Sequence, residues 1–140
     1  MAERPTGRDL VDVTRRRFEA GNRRDADAVL SFYAPDAVFD ASDAGLGTYE
    51  GADAIRAFLQ DWWRSYEGYE NVPDEILQVG EEAVLVINTL LGRLHGSSEP
   101  LQQHNAYLFE FQDGVIVRWT ACMDIDEACA AAETLAEEQR

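Results

Sequence analysis

The stretch HNAYLFEFQDGVIVRWTACMD, residues 104–124, contains two segments in which large apolar residues alternate with smaller or polar ones. Alternation with a period of two is typical of β-strands that bury one face. Between the segments lies Asp113-Gly114, a dipeptide that favours the tight turn of a β-hairpin. The stretch therefore predicts an antiparallel hairpin with strands over residues 102–111 and 114–123.

Two more strands are predicted before the hairpin, over residues 69–79 and 83–94, where apolar residues recur between turn-rich segments. Together with the hairpin they form an antiparallel meander of four strands. A shorter strand is predicted over residues 37–41, where the sequence reads AVFDA. The second half of the chain is therefore dominated by a sheet.

Helices are predicted in the first half of the chain and at its C-terminal end. The segment Thr6–Asp9 has the spacing of a capping box in front of a first helix, and Asp25 can cap a short second helix. Apolar residues between positions 52 and 66 keep the 3.6-residue period of a third helix. The last helix follows Asp124 or Asp126, either of which can cap it. This order of elements predicts an α+β fold.

The size and charge of the chain narrow its class. A length of 140 residues predicts one domain over residues 1–140, and a net charge of −15 argues against a nucleic-acid partner. We find neither an apolar run long enough to span a membrane nor an N-terminal signal core, so no membrane partner and a cytoplasmic location are expected. The run Arg15-Arg16-Arg17 is interpreted as a solvated face of the first helix.

The composition also limits the chemistry. All 12 basic residues are arginines, so a Schiff-base mechanism, which needs a lysine amine, is excluded. The two histidines and two cysteines lack the spacings of metal sites. We therefore expect no cofactor and no metal.

Three segments of the chain resemble the nuclear transport factor 2-like fold, and within it the SnoaL-like group. SFYAPDAVFD (31–40) is similar to the passage from the second helix to the first strand, and GTYEGADAIRAFLQDWW (47–63) to the following loop and helix. AYLFEFQDGVIVRWTACMD (106–124) is similar to the closing hairpin. The resemblance covers about residues 8–135 and specifies the fold better than the reaction.

The resemblance implies a cone-shaped α+β barrel, in which a strongly curved antiparallel sheet of about five to six strands packs on three to four helices. The cone of this family encloses an apolar pocket, and the outer sheet face usually forms a homodimer. A small apolar molecule is the implied ligand. The group includes polyketide cyclases, so a cofactor-free cyclase or isomerase acting on a polyketide-like or other apolar carbonyl compound is the implied activity.

Period-2 alternation selects the residues expected to line this pocket. On the last strand Val117, Trp119, Ala121 and Met123 share one face, and on the strand before it His104 shares a face with two apolar residues. The residues predicted to bind the ligand are Tyr33, Trp63 at the pocket mouth, Ala106, Leu108, Trp119, Ala121 and Met123. The opposite face of the strand predicted over residues 102–111 is assigned to the dimer; it carries Asn105, Tyr107, Phe109 and Phe111. A β-bulge would exchange these two faces.

His104 and Asp40 are the candidate catalytic residues. An imidazole can transfer protons near neutral pH. A carboxylate at the end of the first strand, against apolar neighbours, can act as a base towards a carbon-bound proton. Asp43 is a weaker substitute for Asp40.

Several functional residues of the family have no counterpart in this chain. The second acid of the ketosteroid isomerases falls at Ala106, their helix tyrosine near Arg17 or Phe18, and the aspartate of the polyketide cyclases at about Ala121. Two alternatives to an enzyme therefore stay open. One is a ligand-binding or sensor domain without chemistry, and the other is a dimerising scaffold whose cone is filled by its own side chains.

Overall fold

The computed structural model describes residues 9–138, which form one six-stranded sheet and four α-helices. In chain order the elements are α1 (Leu10–Asn22), α2 (Ala26–Leu30), β1 (Tyr33–Asp40), β2 (Thr48–Glu50), α3 (Ala52–Arg64), β3 (Tyr66–Val79), β4 (Ala83–Leu94), β5 (Leu101–Gln112), β6 (Val115–Cys122) and α4 (Ile125–Glu138).

Aspartates cap three of the helices. Asp9 caps α1 through its side chain, and Asp25 accepts a hydrogen bond from the backbone N–H of Ala28 at 3.1 Å at the start of α2. Asp124 accepts from the N–H of Glu127 at 3.0 Å. The caps predicted at Asp25 and Asp124 are confirmed, whereas the capping role predicted for Thr6 falls outside the described residues.

The strands follow the order β2-β1-β6-β5-β4-β3. Neighbouring strands are antiparallel except β1 and β6, which run parallel. The strand predicted over residues 37–41 begins earlier, at Tyr33, and β2 lies within a segment predicted to be a loop. Within residues 9–138, β2 and β3 have no partner strand on their outer sides, so the curved sheet is not closed into a barrel.

Helices cover both faces of the sheet. The first three helices pack with the concave face around the larger apolar cluster, which includes Phe18, Ile55 and Phe109. Helix α4 packs on the opposite face, where Ala128 and Ala132 contact Leu85. This arrangement confirms the predicted α+β fold with helices closing a curved sheet into a cone.

The register of the β5–β6 hairpin shifts by one residue near its turn. Phe111 lies opposite Ile116, but the next pair is Glu110 with Arg118, so Val117 is an extra residue in β6. Such a bulge exchanges the faces of one strand relative to its partner, because side chains alternate with a period of two.

The bulge corrects the predicted orientation of β5. Phe109 lies opposite Trp119 on the concave face, whereas a regular hairpin would place Leu108 there. Ala106 and Leu108 instead pack under α4 on the outer face. The prediction that His104, Ala106 and Leu108 share the pocket face was therefore wrong.

The same correction applies to the residues predicted to form the dimer surface, because they do not lie on the outer face of the sheet. The residues assigned to that surface are all buried within the cone or at its edge; they are Asn105, Tyr107, Phe109 and Phe111. The rings of Tyr107 and Phe109 pack in the aromatic interior of the concave face, where they contact Phe18 and Trp119.

None of the helices within residues 9–138 combines the length and the apolar character that crossing a membrane requires.

Candidate ligand-binding cavity

A cavity of about 60 Å³ lies between the concave face of the sheet and helices α1 and α3. Its lining is dominated by rings, since eight of the lining residues are aromatic: Phe18, Phe39, Phe58, Trp62, Trp63, Tyr69, Tyr107 and Trp119. An apolar concave site with a few polar groups is the usual form of a small-molecule site. The cavity is therefore the candidate functional site.

Trp119 organises this lining. Its ring stacks on Phe39 with 3.6 Å between ring centroids, and Tyr107 meets it edge-on at 5.3 Å. The edge-to-face contact with Tyr107 is one of the favoured geometries of aromatic pairs, and Phe39 covers a face of the indole. Because Trp119 is only 2% exposed, these contacts fix one wall of the cavity.

The rim of the cavity is apolar and exposed. Leu46 and Met123 both border it, and each is 39% exposed, which is unusual for such side chains in this molecule. The backbone N–H of Met123 donates to Asp43 at 2.8 Å, and its side chain makes only a weak contact, in which the sulfur accepts from Gln103 at 3.5 Å. Unbranched methionine adapts readily to different shapes, so the rim can adjust to an entering molecule.

Arg17 places a positive charge in this aromatic interior. It lies on the buried face of α1 with Phe18 and is only 4% exposed. Its Nε donates to the Tyr33 hydroxyl at 2.9 Å, and its Cζ lies 4.4 Å from the Trp119 ring centroid. Cations at this distance are attracted to an indole face. A Cβ added at Gly21 would lie 3.4 Å from Nη1, so glycine at this position leaves room for the guanidinium.

Tyrosines and asparagines supply the remaining polar groups. Burial raises the pKa of the phenols of Tyr69 and Tyr107, so both stay protonated at neutral pH. Asn71 joins a buried network, since it donates to the Tyr107 hydroxyl at 3.2 Å and accepts from Asn88 at 2.8 Å. These groups are neutral, which leaves Arg17 as the charged residue among the lining residues that the structure describes.

Four of the residues predicted to bind a ligand do line this cavity: Trp63, Trp119, Ala121 and Met123. Trp62 lines it as well, and Trp63, which was predicted at the mouth, is the more deeply buried of the two. Tyr33 is buried behind the lining, where its hydroxyl supports Arg17.

His104 lies away from the cavity, on the outer face of β5. Its Nδ1 is 2.9 Å from the hydroxyl of Thr89, its register partner on β4, and that hydroxyl donates to Asp74. The imidazole is exposed and lies on the opposite face of the sheet from Trp119. The prediction that His104 lies in the pocket was therefore wrong.

Asp40 is also outside the cavity lining. Its carboxylate accepts from the hydroxyl of Ser42 at 2.6 Å and forms an ion pair with Arg118 at 2.7 Å. The hydrogen bonds from Ser42 hold the pKa of this carboxyl below its usual value, and Arg118 adds to the effect. A base in an apolar site needs the opposite shift. The substitute, Asp43, accepts from the Met123 N–H at the rim.

We expect Asp40→Asn to remove part of the acid sensitivity of the fold. In the folded state the pKa of the Asp40 carboxyl is below its usual value of 3.8, so the ionised carboxylate stabilises the fold at pH values above 3.8. This contribution disappears as the pH falls through the folded-state pKa. The difference in free energy of unfolding between wild type and Asp40→Asn should therefore have its full size above about pH 5 and should vanish towards pH 2. Urea unfolding across this pH range measures it. Asp36→Asn, an exposed change on the same strand, is the control and should follow wild type; a gap that widens on acidification would contradict the assignment.

Arg17 was not predicted as a cavity residue because it lies in a run of three arginines. Arg15 and Arg16 are exposed, as predicted for a solvated face, but Arg17 is buried. A signal was present in the spacing, since position 17 follows Leu10 by seven residues and precedes Gly21 by four, on the apolar side of α1. The sequence also did not indicate Tyr69, Asn71 or the concave face of β5, because it does not determine which face of these strands is buried.

No group of three or more metal-binding side chains that could hold an ion occurs within residues 9–138.

The curved sheet, the helices that close it and the internal cavity define a nuclear transport factor 2-like protein. The model of the SnoaL-like domain matches residues 14–119. The chain therefore belongs to the SnoaL-like domain family.

Solved structures of bacterial proteins share the fold. A nuclear transport factor 2-like protein of unknown function from Burkholderia pseudomallei is 25% identical with a TM-score of 0.72, over 86% of this chain and 95% of that one. A candidate polyketide cyclase from Sinorhizobium meliloti is 28% identical with a TM-score of 0.65, over 79% and 93%. Another, from Xanthomonas campestris, is 25% identical with a TM-score of 0.70, over 88% and 96%. No curated protein matches the sequence significantly.

Proposed function

We propose that this SnoaL-like protein binds a small, mostly apolar, aromatic molecule within the cone. The observation that carries the proposal is the ring-lined cavity between α1, α3 and the concave sheet face, with the exposed apolar residues Leu46 and Met123 at its rim. Exposed apolar side chains around a concave apolar site mark a place where a ligand removes them from water.

The volume of the cavity sets a condition on binding. About 60 Å³ is less than the roughly 150 Å³ of an engineered cavity that admits benzene. A ring can therefore enter only if side chains at the rim turn aside, and Leu46 and Met123 are free enough on their exposed sides to do so. Ligand binding is thus coupled to a local rearrangement of the rim.

The indole N–H signals of the tryptophans test this proposal, because all three tryptophans of the chain line the cavity. We expect the neutral probe benzamide to shift these signals in a saturable way in proton–nitrogen correlation spectra, with the largest change at Trp119. His104→Ala should give the same dissociation constant, because His104 lies on the outer face. Indole signals that stay in place at millimolar benzamide would contradict the proposal and favour a cone filled by its own side chains.

An acid–base enzyme acting on an apolar carbonyl compound is the second candidate function. It is favoured by the protonated phenols of Tyr69 and Tyr107, since a phenol can donate a hydrogen bond to a developing enolate oxygen. It ranks second because the cavity lining within residues 9–138 includes no Asp, Glu or His to remove a carbon-bound proton.

Mass spectrometry of recovered ligands separates the two candidates. A panel of aromatic ketones and polyketide fragments is incubated with the protein, and the bound molecules are extracted. Unchanged molecules after long incubation support binding alone, whereas a new product that depends on Tyr107 supports the enzyme.

A further inference from the structure

The guanidinium of Arg17 is a buried charge whose ionic partner is missing from the described part of the chain. The ion pairs of residues 9–138 involve other arginines and a histidine. The chain has 27 acidic residues for 12 basic ones, so carboxylates are abundant. A guanidinium does not lose its proton inside a protein. An isolated buried charge is unfavourable unless it is paired and hydrogen-bonded.

The neighbours of Arg17 compensate it only in part. Tyr33 accepts a hydrogen bond from Nε, and the guanidinium carbon lies 4.4 Å from the ring centroid of Trp119 and 5.7 Å from that of Phe109. Nη2, in contrast, is buried and has no hydrogen-bond partner. The buried Nε1 of Trp119 is a second donor without a partner. Two unsatisfied N–H donors therefore occur on residues that line the same cavity.

We infer that the ligand of this cavity is an anion, an aromatic carboxylate or an equivalent conjugated oxyanion, and that Arg17 binds its charged oxygen. This inference rests on the proposed binding function and adds the chemical class of the ligand. The rings around the cavity receive the aromatic part by stacking. The oxygen completes the hydrogen bonding of Nη2, and bonds between guanidinium and carboxylate are among the stronger ones in proteins.

Apart from Arg17, the lining residues that the structure describes are neutral. This favours an anionic ligand over a cationic or a neutral one. A cation in the cavity would be repelled by Arg17, and the cavity-lining residues that the structure describes include no carboxylate to offset that repulsion. A neutral ring would fill the space but would leave the charge unpaired. An anion pairs the charge of Arg17 and also accepts a hydrogen bond from its Nη2.

Calorimetric titration with benzoate and benzamide tests the inference, because the two probes have nearly the same shape and differ in charge. At pH 7 we expect wild type to bind benzoate at least tenfold more tightly than benzamide. In Arg17→Met the ratio of the two dissociation constants should fall to about one, because benzoate loses the guanidinium that distinguishes it from benzamide. The control is Arg16→Met, which removes the same charge from the neighbouring, exposed position of α1 and should keep the preference.

The possible outcomes separate this inference from the proposed function. If benzamide binds and benzoate binds no more tightly, the ligand class is wrong although the cavity binds aromatic molecules. If neither probe binds, both proposals fail. Retention of the benzoate preference in Arg17→Met would also overturn the inference, since another residue would then hold the anion. The comparison of the two probes in wild type decides the question even if Arg17→Met does not fold.

Discussion

Replacement of Phe109 by alanine is expected to lower the free energy of unfolding by about 3–5 kcal/mol, as found for large aromatic residues in well-packed cores. Phe109 is 0% exposed and packs against Phe18 and Trp119, each at 6.2 Å between ring centroids. The change removes a ring from the centre of the cone and leaves a void. Urea denaturation of the two proteins measures the difference.

A second variant makes this experiment specific to the register of β5. Leu77→Ala changes an apolar residue that is 45% exposed, and it should alter stability by less than about 0.5 kcal/mol. A loss below about 1 kcal/mol for Phe109→Ala would mean that this ring faces outwards, as a hairpin without a bulge requires. The described arrangement of the cone would then be wrong.

Asn71→Leu is expected to destabilise the fold by about 2–4 kcal/mol, although leucine has the same branched side-chain skeleton as asparagine. The Asn71 side chain accepts from Asn88, which is fully buried, and donates to the hydroxyl of Tyr107. Its loss leaves both partners without that bond, and each unsatisfied buried polar group is unfavourable by about 1–3 kcal/mol.

Thermal and urea unfolding of Asn71→Leu provide the measurement, and Gln102→Leu is a suitable control. Gln102 carries an exposed amide on β5, so its replacement should leave the free energy of unfolding almost unchanged. If Asn71→Leu proved as stable as wild type, the buried asparagine network would contribute nothing to the fold, and the polar side of the cavity would need to be described anew.

The fold was predictable because its signals are local. The period of the helix around Ile55 and Leu59, the cap at Asp25 and the turn at Asp113-Gly114 each depend on a few neighbouring residues, and all three agree with the structure. The short strand β2 was not predictable, since its three residues form a strand only through pairing with β1.

The site was predictable only in part, because it depends on which face each strand buries. On β6 the alternation of Trp119, Ala121 and Met123 gave the correct side. On β5 the bulge at Val117 exchanged the faces, so that Phe109 and not Leu108 meets Trp119. An extra residue of this kind leaves no clear mark in a sequence whose two strand faces are both apolar.

The burial of Arg17 follows from tertiary contacts that the sequence does not state. A helical position next to apolar residues predicts a buried face, but an arginine there is usually expected to reach solvent with its charged end. In this protein the charge stays inside because Trp119 and Tyr33, from two strands of the sheet, surround it. Neither contact can be inferred from the spacing of residues along α1.

A crystal structure of the protein grown with benzoate would show directly whether the ring-lined cavity receives an aromatic ligand. We expect electron density for a benzene ring among Trp119, Trp62 and Tyr107, with the carboxylate within hydrogen-bond distance of Arg17 and with Leu46 and Met123 displaced at the rim. An interior filled by the protein's own side chains, with benzoate absent or bound elsewhere, would contradict it.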